Sequence, residues 1–249
     1  MPAFIHHNKL NNNPEKSYEE IAIDKKQGCE NLIQSILYIK KTPVIFNKTK
    51  VSQRVGYVIS GKIKIKYEGE YLKQTINKTF TLEAGSSFLI PEGTDSILDN
   101  LDDNYSMILL VKSPQDEFAK LKKAKINNFN EDLLIVNKNN QENLPAGEDR
   151  YFKLMIDPQF GSKYVTQFLG YIKKIKAPFH DHTYDEVIYI LEGEGVVHHG
   201  NSKTKIKKGS SVYLPPGTIH RLENKNKDVE LQLLGVFCPA GSPADKDEK

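Results

Sequence analysis

Residues Gly85 to Thr94 read Gly-Ser-Ser-Phe-Leu-Ile-Pro-Glu-Gly-Thr, and residues Gly209 to Thr218 read Gly-Ser-Ser-Val-Tyr-Leu-Pro-Pro-Gly-Thr. An Asn follows each at the same distance, Asn100 in the first copy and Asn224 in the second. Upstream, the apolar run from Val55 to Gly61 parallels that from Val187 to Gly193. Self-similarity of this kind limits the fold more than any single residue does, because a repeated segment implies a repeated structural unit. Both Pro-x-Gly-Thr segments suit a tight turn in which Gly takes a positive φ. At 249 residues the chain has room for two ordinary domains, one for each copy.

Within each copy, short β-branched and apolar runs alternate with Gly, Pro, Asp and Asn punctuation, which predicts an all-β fold of sandwich or barrel type. In the first copy the runs are 31–39, 57–67, 79–82 and 105–111. In the second they are 151–156, 164–172, 186–191, 195–198, 211–214, 219–222 and 229–237. The expected division is an Asn- and Lys-rich arm over 1–17, a first barrel over 18–125, a connection over 126–150, a second barrel over 151–243 and a polar tail over 244–249. One helix is expected near Phe118 and Leu121, with Ser113 as its cap, Pro114 in its first turn and Asp116 and Glu117 on the positive end of its dipole.

The chemistry-bearing residues gather in the second copy. His180, His182 and Glu186 are even numbers of residues apart, so an extended strand would project all three from one face. His220 falls on a later hairpin as a fourth candidate ligand, and Gly193, Gly209, Pro215 and Gly217 punctuate the interval. The arrangement of His180-x-His182, Glu186 and Gly193, followed by Gly209, Pro215-x-Gly217, His220 and Asn224, resembles the paired motifs of the cupin superfamily. The second motif is matched throughout. The first lacks its opening Gly, replaced by Lys174. The resemblance implies a bicupin of two jelly-roll barrels with one or few short helices. It also implies one divalent metal (Fe, Mn, Ni, Co or Zn) held by His180, His182, Glu186 and His220.

Alignment of the copies places Lys48 and Lys50 at the two His positions, Arg54 at the Glu position and Ser96 at the last His position. Ammonium and guanidinium groups have no lone pair to offer a cation. The first barrel is therefore expected to be metal-free, a scaffold or dimerisation unit. If Lys48, Lys50 and Arg54 all point inward, it is instead an anion site.

Four neutral or anionic ligands leave two octahedral positions open for a small-molecule substrate, which favours an enzyme acting on a small polar molecule. The resemblance embraces dioxygenases, hydrolases, lyases and isomerases, and does not choose among them. The alternative is a non-catalytic metal- or ligand-binding module or a sensor. Oxalate-degrading cupins place an Arg where this chain has Ala177, which argues against that substrate. An intact second copy beside a degenerate first resembles ureidoglycine aminohydrolase-type bicupins, although the order of ligands differs. Gln167, Tyr184 and His198 are the candidate catalytic residues, with Tyr171, Tyr189 and His199 as further polar neighbours.

The formal charge of +3 offers no basic surface for nucleic acid, and no apolar run suggests a membrane span or a signal peptide, so a cytoplasmic location is expected. Cys29 and Cys238 could pair only if the fold brings them together. The rows Val187-Tyr189-Leu191 and Val55-Tyr57-Ile59 lie opposite the ligand phase. They predict either a homodimer contact or cover by the other barrel.

Overall fold

The computed structural model describes residues 1–7, 16–116, 121–147, 149–173, 177–226 and 228–244. Strand β1 (Ala3–His6) precedes the first barrel. That barrel consists of β2 (Tyr18–Ile23), β3 (Ile33–Ile39), β4 (Val44–Phe46), β5 (Gln53–Ser60), β6 (Lys62–Tyr71), β7 (Gln74–Glu83), β8 (Ser86–Ile90), β9 (Thr94–Asn100) and β10 (Ser106–Ser113). Two short strands follow, β11 (Ile135–Asn137) and β12 (Leu144–Pro145). The second barrel is β13 (Arg150–Ile156), β14 (Thr166–Ile172), β15 (Asp185–Glu192), β16 (Glu194–His199), β17 (Ser202–Lys207), β18 (Ser210–Leu214), β19 (His220–Asn224) and β20 (Leu231–Cys238). Helical structure among the described residues is limited to four short 3-10 turns.

Each barrel is a large sheet facing a small one. The first pairs the order β11-β8-β5-β10-β3-β2 with β4-β9-β6-β7, and the second pairs β1-β18-β15-β20-β14-β13-β12 with β17-β16-β19. The repeat read from the sequence is thus a repeat of antiparallel double-sheet barrels. The run 57–67 is two strands, parted at Gly61, whose φ of 88° lies in the left-handed region. Gly193 turns the matching corner at φ 84°, and a Cβ there would come within 3.1 Å of the Leu231 backbone. Glycine at both corners is what lets the chain reverse against its neighbour.

Two of the expected segments, the arm and the connection, are built into the sheets. The N-terminal residues are not a free arm: β1 pairs with β18, Phe4 opposite Val212, and extends the sheet of the second barrel. His7 is buried, with Nδ1 2.9 Å from Glu20 and Nε2 3.1 Å from Ser211 Oγ. The connection at 126–150 also belongs to both sheets, since β11 joins β8 of the first barrel and β12 joins β13 of the second. Its last residue, Arg150, opens β13.

The helix expected after Ser113 is absent from its described part. Ser113 closes the ladder of β10 against Gln53, and Gln115 is buried with its amide nitrogen bonded to the Cys29 and Leu32 carbonyls. Residues 117–120, where that helix would continue, and 245–249, most of the expected tail, lie outside the described residues.

The larger hydrophobic core runs through both barrels. Val55 and Tyr57 of the first belong to the same buried cluster as Val187, Tyr189, Leu234 and Val236 of the second, and Ile59 and Leu191 pack at its edge. The two apolar rows are therefore covered within one chain, which removes the physical motive for a dimer through them. Polar contacts cross the same boundary: Ser87 Oγ donates to Gln167 Oε1 (2.6 Å), Tyr71 OH donates to the Gly161 carbonyl (2.7 Å), and Asn31 Nδ2 donates to Asp185 Oδ2 (2.6 Å). Cys29 and Cys238 are free buried thiols, and burial pushes both up to about 12. The second core cluster, including Phe152, Phe168, Ile188, Leu222 and Phe237, fills the interior of the second barrel.

Candidate metal centre

The ligand candidates converge, but not as side chains of one strand. Only Glu186 lies in β15, which begins at Asp185. His180 and His182 precede it on an irregular segment that is stitched to the opposite sheet. His180 and His220 exchange two backbone hydrogen bonds (3.0 and 2.9 Å), and the Gly217 N–H donates to the His182 carbonyl (2.7 Å). The even spacing therefore gives the right face for a different reason: pairing with β19 and the Pro215–Thr218 turn holds the segment.

The three imidazoles each bring a nitrogen to within 4.8 Å of the others. Ring centroids are 4.8 Å apart for His180 and His182, 4.3 Å for His180 and His220, and 5.2 Å for His182 and His220. His180 Nδ1 donates to the Pro178 carbonyl (3.0 Å) and His220 Nδ1 to the Thr218 carbonyl (2.8 Å). A carbonyl can only accept, so these bonds put the proton on Nδ1 and leave the Nε2 lone pair facing the centre. Burial, the dominant cause, lowers the pKa of both His180 and His220, which keeps the rings neutral and able to coordinate near pH 7.

Glu186, the fourth candidate, lies beside two of these rings and outside the group of three. Its side chain is buried, and Oε2 sits 3.4 Å from His182 Nε2 and 3.6 Å from His220 Nε2, yet this oxygen has no hydrogen-bond partner. Burial pushes its carboxyl up, but the facing His182, with His220 and His180, outweighs burial and holds it below the ordinary value. Donor atoms bound to one ion at about 2.1 Å would sit about 3 Å apart on neighbouring positions, so a small inward movement of these groups closes the set. A buried carboxylate oxygen that faces two imidazole nitrogens without a hydrogen bond gains from a cation placed between them. The residues fit a divalent metal.

The centre opens into a cavity of ≈ 680 Å³. Phe152, Phe168, Ile172, Ile188, Leu222, Leu233 and Phe237 line it beside His180, His182, Glu186, His220 and Arg150. Ala177 is in the wall as well. Of the candidate catalytic residues, Gln167 is fully buried at the boundary between barrels and bonded to Ser87. Tyr184 stacks on His182 (4.6 Å, 13° between planes) and packs on Phe237, so it braces a ligand ring. His198 Nε2 lies 2.7 Å from Glu223 Oε2, and His199 Nε2 lies 3.0 Å from Thr204 Oγ1; neither is in the cavity wall. Tyr189 turns away from the centre, into the core shared with the first barrel, as its parity requires. Tyr171 does line the cavity, stacked on Tyr151. The sequence reading missed Arg150, counted as linker; its signal was two-residue alternation with Phe152 and Leu154 at the start of a strand.

In the first barrel the corresponding groups do not converge. Arg54 lies over the Phe46 ring (4.7 Å), while Lys48 and Lys50 are exposed on a separate cleft with Glu70, Glu92 and Lys163. Among the described residues, the group of His, Cys, Asp or Glu side chains able to share an ion is that of the second barrel.

Comparison with known proteins agrees with this geometry. The profile described as "Cupin domain" matches residues 172–237, which contain the whole candidate centre. The second barrel is a cupin domain, and the whole chain has the two-barrel cupin fold. An uncharacterized protein of Methanocaldococcus jannaschii is 40% identical over 73 residues, 29% of this cupin and 58% of that protein. This cupin spans a little over half the length of the curated relatives it matches. Among solved structures, protein Ylba from E. coli aligns over 99% of this chain and 93% of its own (TM-score 0.69, 17% identity). An oxalate decarboxylase from Bacillus subtilis aligns over 96% and 78% (TM-score 0.73, 14% identity), and one study of that enzyme concerns its Mn(II) centres. At these identities the likeness is one of fold. Among the described residues, no helix is long and apolar enough to cross a membrane.

Proposed function

We propose that this cupin is a metal-dependent enzyme acting on a small molecule at its second barrel, with one divalent ion held by His180, His182, Glu186 and His220. The observation that carries the reading is the buried, partnerless Glu186 oxygen facing the imidazoles at the floor of an open cavity. A structural metal is normally enclosed by its ligands, whereas a catalytic one keeps access to solvent and substrate. A bound divalent ion would supply Lewis acidity at the positions its four protein ligands leave open.

The chain's own residues do the rest. The Pro178 and Thr218 carbonyls hold two imidazoles in one tautomer, Tyr184 fixes the plane of His182, and the aromatic wall limits water around the bound molecule. Mixed nitrogen and oxygen ligation without thiolate suits Mn, Fe, Co, Ni or Zn.

His182→Ala tests the ligand set. It is expected to lower affinity for Mn²⁺ or Ni²⁺ by about a hundredfold or more, while far-UV circular dichroism stays unchanged because the apolar interior of the barrel remains intact. Unchanged affinity would remove His182 from the centre. Collapse of the fold on metal removal would make the ion structural and the enzyme reading wrong.

A further inference from the structure

The wall of the cavity holds an arginine that metal ligation leaves unused. Arg150 opens β13 and faces the cavity, close enough to His180 for its charge to oppose protonation of that ring. Its backbone is fixed on both sides: its N–H donates to the Gly147 carbonyl (3.3 Å), its carbonyl accepts from Ala146 (3.1 Å), and Lys173 N–H donates to Asp149 next door (3.2 Å). The guanidinium lies against Gly147, where a Cβ would approach Nη2 to 2.8 Å, so glycine there leaves room for it. Among the described residues, the half-buried Arg150 side chain has no carboxylate or carbonyl partner. Burial lowers its pKa, which measures how poorly the site compensates the charge.

A guanidinium stays protonated throughout the working pH range and presents paired donors that match a carboxylate. Most of the remaining wall is apolar, with Phe152, Phe168, Ile172, Leu222, Leu233 and Phe237, while Tyr151, Tyr171 and Asp181 add polar groups to it. Pockets built this way take their affinity from the apolar surface and their orientation from the few polar groups.

We infer that the cavity takes a monocarboxylate with an aromatic or branched apolar body, Arg150 binding the carboxylate and the aromatic wall enclosing the body. Arg150 is thereby the residue that sets substrate class and orientation, and this rests on the second barrel being the working site. The rival anion, inorganic phosphate, would satisfy Arg150 and leave the apolar wall empty.

The test uses the full-length protein freed of metal by chelator, with benzoate as probe, read by calorimetry. Benzoate is expected to bind about tenfold or more tighter than acetate, from burial of its ring, and tighter than phosphate. Arg150→Gln is expected to weaken benzoate about tenfold or more and to leave benzamide unchanged, with Arg150→Lys between. Equal benzoate affinity in wild type and Arg150→Gln, or benzamide bound as tightly as benzoate by the wild type, overturns the inference. The benzamide comparison needs no variant and decides the matter even if Arg150→Gln misfolds. Phosphate bound more tightly than benzoate likewise overturns it. Mn²⁺ binding is measured on the same samples. A wild type that discriminates benzoate but binds no metal refutes the ligand set alone, and one that binds metal with an Arg150-independent benzoate affinity refutes the carboxylate site alone.

Discussion

The two barrels share a scaffold and differ at its centre. In the second, the imidazoles of His180, His182 and His220 gather in the wall of a cavity, with Glu186 beside His182 and His220. In the first, Arg54 takes the Glu position and packs its guanidinium on Phe46, while Ser96, at the last His position, is buried with its hydroxyl unpartnered. The comparison teaches that the fold and the site are specified separately. Corner glycines and alternating apolar residues suffice for a barrel, and four further side chains decide whether its interior can hold a cation.

The first barrel nevertheless reaches the centre of the second. Asp185, next to Glu186, is buried and accepts from Asn31 Nδ2 of the first barrel (2.6 Å) and from Tyr213 OH (2.7 Å); Tyr213 OH is also 3.1 Å from the Gly28 carbonyl. The first barrel thus pins the start of the strand that carries Glu186, a candidate ligand. Asp185→Ala is expected to cost about 1–3 kcal/mol, since it removes the acceptor of Asn31 Nδ2 and leaves Tyr213 OH only the Gly28 carbonyl, and to weaken metal binding about tenfold. Chemical denaturation and metal titration check this. A loss of stability with metal affinity untouched would separate the barrels functionally.

A smaller effect distinguishes them by pH. Because the folded state holds His180 and His220 below the ordinary value of about 6.5, it binds fewer protons than the unfolded chain just under that pH. Their contribution is complete above about 6.5 and is lost as pH falls from there; that of Glu186, also lowered, is lost further down, below about 4.5. The melting temperature of chelator-treated protein should therefore decline from about pH 6.5 downward. His220→Ala should flatten that decline, whereas Arg54→Ala should leave it as it is.

The strands and the repeat were legible because they rest on local alternation and on turn glycines. The errors have a common cause: they concern segments whose partners are distant in sequence. The residues of β1 read as part of an Asn- and Lys-rich arm until β18 supplies their hydrogen bonds. Ser113, Pro114 and Asp116 carry helix-start chemistry, but the β10 ladder and the buried Gln115 hold the chain in another course. The convergence of His180, His182 and His220 was readable from spacing and resemblance, although the strand geometry offered for two of them was not what delivers them. Arg150 escaped because its alternation with Phe152 and Leu154 begins at the edge of a polar linker, with which it was counted.

The least effect is expected from Lys48→Ala and Lys50→Ala, which change exposed side chains on the cleft of the first barrel. Stability should move by no more than about 0.5 kcal/mol, with metal affinity unchanged. Weakened metal binding in either variant would mean that the first barrel takes part in the site.

The central claim is that the second barrel alone holds a metal. Elemental analysis of the full chain, prepared without chelator and then saturated with Mn²⁺, measures it directly, with a His180→Ala/His220→Ala double variant alongside. One ion per chain in the wild type and none in the double variant is the expected result; two ions per chain, or an undiminished ratio in the double variant, would contradict it.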